Sequence, residues 1–361
     1  FTTPTEIQSK SLPVTLAGDH DLIGAAETGS GKTFAFGLPI LQHLAARAPQ
    51  KGKEDLGCTG LILAPTRELA IQVTDHLNRV AKFMRVKIVS IVGGMSEQKQ
   101  KRLLSSRPDV VVATPGRLWE LAREDQDVIS RLRKISFLAI DEADRMLESG
   151  HFKDLDHILD AISLRRRDTD ESSKKVSKRR TFIFSATLIQ DGRLKMRLNK
   201  PMKFKGGAPT FDDLLKRLEF QDPKPVYIDV TSTSVMATSL VETQIECLHT
   251  DKDAFLYYIL TRYPGRTLVF VNSIDAIRRL VPVLGLVGVK AYGLHAEMQQ
   301  RMRLKNLDRF RDSPDAVLIA SDVAARGLDI PNVEHVVHYQ LPRTAELYVH
   351  RSGRTARGGG G

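Results

Sequence analysis

Two cysteines in 361 residues, Cys58 and Cys247, are too few for a disulfide framework or a cysteine-rich metal site. A reducing compartment fits that scarcity. No run approaches the 18 apolar residues of a membrane-spanning helix. The opening FTTPTEIQSK has neither the charged start nor the apolar core of a secretory leader. Aromatic residues are only 6%, with a single tryptophan, Trp119, so a surface of stacked rings is a poor expectation. Acidic residues are the minority charge: 43 Asp and Glu against 54 Lys and Arg leave a net +11. That excess favours nucleic acid first and an acidic membrane second, although charge alone suits a merely basic soluble protein equally well. Ordinary shares of apolar (42%) and charged (27%) residues exclude wholesale disorder, and the length suits two or three domains.

Short β-branched runs alternate with helix-period stretches along most of the chain. Strands are expected at 61–64, 86–92, 110–113, 137–140 and 181–184, and again at 268–271, 291–294, 317–320 and 335–338. Near-continuous apolar strands set between helices mark a parallel sheet covered on both faces. Two α/β domains follow, at 1–230 and 243–361, joined through the small, polar, aperiodic stretch 231–242 (TSTSVMATSLVE). Two basic stretches interrupt the first. Residues 165–180 hold eight basic and three acidic residues and read as a solvated loop, with 174–180 a weaker nuclear-import signal. Residues 189–220 carry six basic residues between 193 and 205 and read as an RNA-facing arm or as a basic surface helix and loop.

A strand at 21–25 runs straight into Ala26-Glu27-Thr28-Gly29-Ser30-Gly31-Lys32-Thr33 and then a helical stretch. Glycines at a strand-to-helix turn let backbone N–H groups close around phosphate oxygens, and the helix N-terminus adds partial positive charge. Lys32 reaches the β- and γ-phosphates and the Thr33 hydroxyl ligates Mg²⁺, with Ala26 standing where the strict pattern has glycine. Asp141-Glu142-Ala143-Asp144 follows the apolar run 137–140. A carboxylate at the end of a parallel strand suits a Mg²⁺ ligand, Asp141, and its neighbour Glu142 suits a base for the attacking water. Alone, the quartet reads equally as an acidic helix start. Arg351, Arg354 and Arg357 are spaced by three and are placed on one helix face, either solvated or brought across a cleft to a γ-phosphate.

Together with Pro4-Thr5-Glu6-Ile7-Gln8, Pro65-Thr66-Arg67-Glu68-Leu69-Ala70, Gly93-Gly94, Thr114-Pro115-Gly116-Arg117, Ser185-Ala186-Thr187, ASDVAARGLDI at 320–330 and HRSGRTAR at 350–357, these motifs resemble the DEAD-box ATP-dependent RNA helicases, in the family's order and over nearly the whole chain. The resemblance implies an α/β fold of two tandem RecA-like domains, each a mostly parallel sheet covered by helices on both faces. It implies ATP and Mg²⁺ as cofactors and single-stranded or locally duplex RNA as partner. Gln8 then reads adenine, and Thr28, Gly29, Ser30, Gly31, Lys32, Thr33, Gly327 and Asp329 hold the nucleotide. Lys32, Asp141, Glu142, Arg354 and Arg357 are the implied catalytic set, with Thr33 and Asp141 on the metal. Ser185 and Thr187 couple the ATP site to RNA. Implied RNA contacts are Arg67, Gly94, Thr114 and Arg117 in the first domain and Ser273, His295, Gln300, Arg303 and Ser321 in the second. For His295 and Gln300 an ordinary surface role stays open.

Ser321 stands where threonine is commoner in the family, and no adenine-stacking aromatic precedes Phe1. The four glycines after Arg357 replace a further strand and helix, which implies a C-terminally shortened second domain. The basic insertion after SATL, with YPGRTLVFVNS and YVHRSGRTAR, is similar to the nucleolar branch that serves large-ribosomal-subunit assembly. That implies the nucleus and nucleolus, precursor ribosomal RNA and preribosomal proteins, and no membrane. An ATP-gated RNA clamp with little unwinding uses the same residues. A P-loop kinase or DNA translocase would need neither the Gln8 motif nor 114–117.

Overall fold

The computed structural model describes residues 3–18, 20–26, 29–47, 58–148, 152–163, 179–186, 211–218, 220–222, 224–231, 240–322 and 333–355. They fall into two units, Phe1–Thr231 and Ser232–Gly361.

The first unit is built on strands β1 (Leu22–Ala25), β2 (Gly60–Leu63), β3 (Ile88–Ile91), β4 (Val110–Ala113), β5 (Phe137–Ile140), β6 (Arg180–Ser185) and β7 (Val226–Asp229). Their order in the sheet is β3-β4-β2-β5-β6-β1-β7, and every neighbouring pair is parallel. Successive side chains of a strand point to opposite faces. Leu61, Leu63, Val111, Ala113, Leu138 and Ile140 therefore enter one core, and Ile62, Val110, Val112, Phe137 and Ala139 the other. With both faces buried, an unbroken apolar run is what each strand needs. The helices are α1 (Glu6–Ala17), α2 (Lys32–Arg47), α3 (Arg67–Val80), α4 (Glu97–Ser105), α5 (Pro115–Ala122), α6 (Gln126–Leu132), α7 (Ala143–Glu148), α8 (Phe152–Ala161) and α9 (Phe211–Arg217). In α3 the Thr66 hydroxyl caps by accepting from Leu69 N at 3.3 Å, and Leu69, Ala70, Val73 and Leu77 form the buried stripe.

Three features depart from the sequence expectations. Strand β7 was not anticipated, because four residues beside Pro223 and Pro225 carry little strand signal; as an edge strand beside β1 it tolerates those prolines. The basic stretch at 165–180 lies outside the described residues except for its end, which is folded rather than solvated. Arg179 is buried and donates to Ile162 O (2.8 Å), while Arg180 opens β6 with its guanidinium 4.2 Å from the Phe137 ring centroid. Of the stretch 189–220, residues up to 210 lie outside the description. Its end forms α9, which buries Leu214 and Leu215 and pairs Arg217 with Asp156 (2.6 Å) and Asp160 (3.3 Å).

Buried Asp21 ties three strand starts together. Its carboxylate accepts from Thr181 N (2.6 Å) and Asp222 N (2.9 Å), and burial pushes its pKa up against those bonds.

The second unit has α10 (Lys252–Arg262), β8 (Thr267–Val271), α11 (Ile274–Leu286), β9 (Ala291–Leu294), α12 (Gln300–Asp312), β10 (Val317–Ser321), β11 (His335–His338) and α13 (Ala345–Ser352). Its parallel sheet runs β11-β8-β10-β9, with Val269, Val271, Val317 and Ile319 facing one core and Leu268, Phe270, Leu318 and Ala320 the other. The stretch 232–239 of the expected linker lies outside the described residues. No described helix is long and apolar enough to cross a membrane.

Candidate functional site

The turn after β1 is shaped by Gly29 (φ 88°) and Gly31 (φ 92°), a backbone region that only glycine enters without cost. Gln8 docks on this turn. Its Nε2 donates to Gly31 O at 3.0 Å, and its Oε1 accepts from Thr5 N at 3.1 Å. A Cβ at position 31 would stand 2.4 Å from Gln8 Nε2 and 2.8 Å from Thr5 Oγ1, so a side chain there would displace Gln8. Lys32 is buried at the start of α2, with Nζ donating to Ala26 O at 3.0 Å, and Thr33 beside it is half-buried. Ser30 is half-buried and Thr28 lies outside the described residues.

At the end of β5, Asp141 N donates to Leu63 O (2.9 Å), which holds its side chain at the sheet's C-terminal edge. Burial lifts the Asp141 carboxyl to a pKa of about 6; Lys32 opposes the rise and Glu142 adds to it. Glu142 is buried at φ 48°, a left-handed backbone that is strained for a residue with a side chain. Its carboxylate is ion-paired with Arg145, which the sequence gave no reason to single out. Ala26 N donates to Ser185 O at 3.0 Å, so the phosphate turn is bonded to the end of β6, where Ser185 is buried. Thr187 lies outside the described residues.

The loops after β2, β3 and β4 open on the same C-terminal edge. Arg67 is exposed and its guanidinium covers Gly93, where a Cβ would meet Nη2 at 2.9 Å. Gly94 has φ 76°. Beneath them Gln100, fully buried, accepts from Val92 N (3.0 Å) and donates to Val92 O (3.0 Å) and Met95 O (3.2 Å). That residue escaped the sequence reading; its signal was an amide inside the first helical turns after Gly-Gly. Thr114 precedes α5 and donates its N–H to Ile91 O (3.1 Å). Arg117 has a side chain only 10% exposed and pairs with Glu120 at 2.7 Å.

In the second unit, Ser273 is exposed and caps α11 by accepting from Ala276 N (3.2 Å), and Ser321 is half-buried at the end of β10. His295 is half-buried, with its pKa lowered by burial and then by Arg278. Gln300 and Arg303 are each 7% exposed. The surface reading of Gln300 is therefore corrected: both side chains are buried on α12, where Asn306 also donates to Gly293 O of β9 (2.9 Å).

The arginines near the end require a second correction. Helix α13 stops at Ser352 because Gly353 follows, so Arg354 is a turn residue, buried, with its N–H on Arg351 O (3.2 Å). Arg351 is buried over the Phe270 ring and bonded to Asp322 (2.5 and 2.7 Å), Asn272 Oδ1 (2.7 Å) and Gln340 O (2.7 Å). Gly327, Asp329 and Arg357 lie outside the described residues.

The DEAD/DEAH box helicase family model matches residues 5–193, and the helicase conserved C-terminal domain matches 251–359. An ATP-dependent RNA helicase ddx24 of Dictyostelium discoideum is 42% identical over 99% of this chain and 47% of its own length. An ATP-dependent RNA helicase mak5 of Schizosaccharomyces pombe is 44% identical over 99% and 53%. The chain thus spans about half the length of the curated relatives it matches. Among solved structures, Mss116p bound to ssRNA and AMP-PNP matches with TM-score 0.77 at 26% identity, covering 100% of this chain and 68% of that one. The S. cerevisiae Dbp5 structure bound to RNA and ADP BeF3 matches with TM-score 0.74 at 26% identity, over 99% and 81%. The two parallel sheets are RecA-like domains in tandem, and the chain belongs to the DEAD-box RNA helicase family.

Proposed function

We propose that this chain is the catalytic core of an RNA-dependent ATPase that locally unwinds or remodels RNA. The observation that carries the reading is the convergence on one sheet edge of the Gln8-braced phosphate turn, the buried Asp141–Glu142 pair and the Arg67, Gly94 and Thr114 loops. The ligands named for the similar Mss116p and Dbp5 structures support it.

The residues suit ATP with Mg²⁺. The turn at Gly31 has no room for a Cβ, and Lys32 is buried beside it. Asp141 and Thr33 offer hard oxygens of the kind Mg²⁺ takes in ones and twos, with phosphates and waters completing its shell. Mg²⁺ supplies charge neutralisation on the phosphates when bound. Asp141 must shed its proton to serve as a ligand, which Lys32 assists. Gln8 presents an amide that donates and accepts at the adenine edge. Glu142 orients the attacking water and takes its proton on a carboxylate oxygen, and for that it must loosen from Arg145. Arg354 and Arg357 bring charge to the γ-phosphate from the second unit. Hydroxyl and amide groups at Gly94, Thr114, Ser273 and Ser321 hold RNA by its backbone, which positions the strand without reading its sequence. Half-buried Arg117, paired with Glu120, and buried Gln300 and Arg303 act chiefly by shaping those loops.

Precursor ribosomal RNA in the nucleolus, within preribosomal particles, is the setting we propose; the basic insertion and the second-domain motifs support it. The Arg145–Glu142 pair favours slow turnover and so keeps the clamp reading in view. The test is ATP turnover with and without single-stranded RNA, followed by release of a labelled strand from a short duplex. RNA-stimulated turnover is expected, and turnover indifferent to RNA would contradict the proposal. RNA-stimulated turnover with little strand release, alongside tight RNA binding in a non-hydrolysable analogue, would favour the clamp.

A further inference from the structure

Helix α3 leads away from the RNA-facing edge. It starts at Arg67 and runs 14 residues, about 21 Å at 1.5 Å per residue, to Val80 at the opposite edge of the sheet. There a single 3-10 turn, Ala81–Phe83, presents Phe83 with 93% of its surface in solvent. Residues 79–87 (RVAKFMRVK) hold four cations and no acid. Arg79, Lys82, Arg85 and Lys87 are all exposed, and among the described residues no carboxylate pairs with them. Lys82 Nζ lies 5.6 Å from the Phe83 ring centroid. Two described acids adjoin this segment: Asp75, exposed one turn earlier in α3, and Asp109, which is turned inward. Asp109 accepts from Lys87 N (2.8 Å), and Lys87 O accepts from Asp109 N (2.9 Å) and Val110 N (3.1 Å). Lys87 Nζ also reaches Ser106 O (3.5 Å) in the adjoining exposed turn, so the ring and its cations stand on a fixed base.

We propose that this edge is a second RNA-binding surface, in which Arg79, Lys82, Arg85 and Lys87 hold backbone phosphates and Phe83 stacks on a base. The inference rests on the RNA reading above. A lone exposed ring with cations around it is the arrangement that grips single strands without sequence preference. A protein-docking hot spot would set the ring among exposed apolar side chains, and the residues on either side of the turn, Val80 at 36% exposed and half-buried Met84, offer little such surface. At about 21 Å from Arg67, the surface is reached only by RNA that outruns the first site.

The test compares an oligouridine of about 8 nucleotides with one of about 24, each bound to the whole chain with AMP-PNP present. Phe83→Ala and the pair Lys82→Glu, Arg85→Glu are measured beside wild type. Phe83 is so exposed that its removal leaves packing intact, which keeps the test valid if the charge-reversed pair fails to fold. Wild type should bind the longer RNA more tightly. Both variants should lose about tenfold on the longer RNA and nothing on the shorter, and the double variant's salt slope should fall by about 1.4, at about 0.7 per phosphate contact. Unchanged affinity for the longer RNA, equal loss on both lengths, or binding of polyglutamate at this edge without loss of RNA would overturn the proposal. If wild type binds both lengths equally, the second surface fails while the RNA reading stands. If it binds neither, the RNA reading fails first.

Discussion

The two units share one four-strand plan and diverge in what they place at its edge. Strands β3-β4-β2-β5 of the first unit and β9-β10-β8-β11 of the second have the same spatial order, and each set is parallel. Corresponding loops carry comparable parts. After the second strand of the chain's sheet and its counterpart, Thr66 and Ser273 cap the next helix with their hydroxyls. The helix after β3 and the helix after β9 each bury a polar side chain four residues past the cap, Gln100 in one unit and Arg303 in the other. After β5 stand Asp141 and Glu142, whereas after β11 stand Tyr339 and Gln340, the latter spent on bonds to Asn272 and Arg351. The first unit adds β1, β6 and β7, and with them the phosphate turn. On the proposed reading the shared plan makes two sets of loops that grip the RNA backbone, while the phosphate turn and the acidic pair are confined to the first unit and the second contributes Arg354 and Arg357.

The largest effect that tests this division is Glu142→Gln. Turnover should fall by about 10²–10⁴, the usual worth of a positioned base, while ATP binding survives on Lys32, Thr33 and Asp141. Normal turnover would remove chemistry from this station.

Arg351→Met should strike only the second unit. It leaves Asp322 without its guanidinium, a loss of about 3–5 kcal/mol for a broken buried pair. Urea unfolding followed by probes in each unit should show the second transition shifting alone.

Gln100→Ala is the counterpart in the first unit. It abandons Val92 N, Val92 O and Met95 O at a cost of about 1–3 kcal/mol, without loss of a charge. RNA affinity should drop with it, because Gly93 and Gly94 lose their support; unchanged affinity would separate the loop from RNA.

Acid should divide the units by sign. His338 is stacked between Tyr348 and Phe270, Nε2 meets Ser352 Oγ (3.1 Å), and burial, then Arg351, lowers its pKa to about 4, with Asp322 and Glu242 opposing. The unfolded chain then binds the proton more readily, so the second unit weakens as pH falls from about 6.5 toward 4, by at most about 1.4 kcal/mol per unit. Asp141 has the opposite shift, to about 6, so the folded first unit binds the proton more readily and gains stability as pH falls below 6. His338→Phe should flatten the response of the second unit alone, and parallel acid responses in both units would contradict the assignment.

Much of this was legible in the residues. Strands buried on both faces announce themselves as apolar runs, and the phosphate turn, the DEAD quartet and the capping hydroxyls are local patterns. What was not legible depends on neighbours remote in sequence. Gln100 matters because Val92 folds over it, and Arg351 is structural because Asn272, Asp322 and Gln340 surround it. The Arg145 hold on Glu142 sits beside a positive φ that no local pattern announces. Strand β7 owes its pairing to β1 and not to its own four residues. One miss was avoidable: Gly353 is a helix stop that the three-residue arginine spacing overrode.

The central claim is that two matched sets of RNA loops act together only when nucleotide joins them. Its most direct test is the affinity of the whole chain for one single-stranded RNA, measured with AMP-PNP and again with ADP at fixed salt. Binding tighter by tenfold or more, about 1.4 kcal/mol, with AMP-PNP is the predicted result. Equal affinity in the two nucleotide states would contradict it.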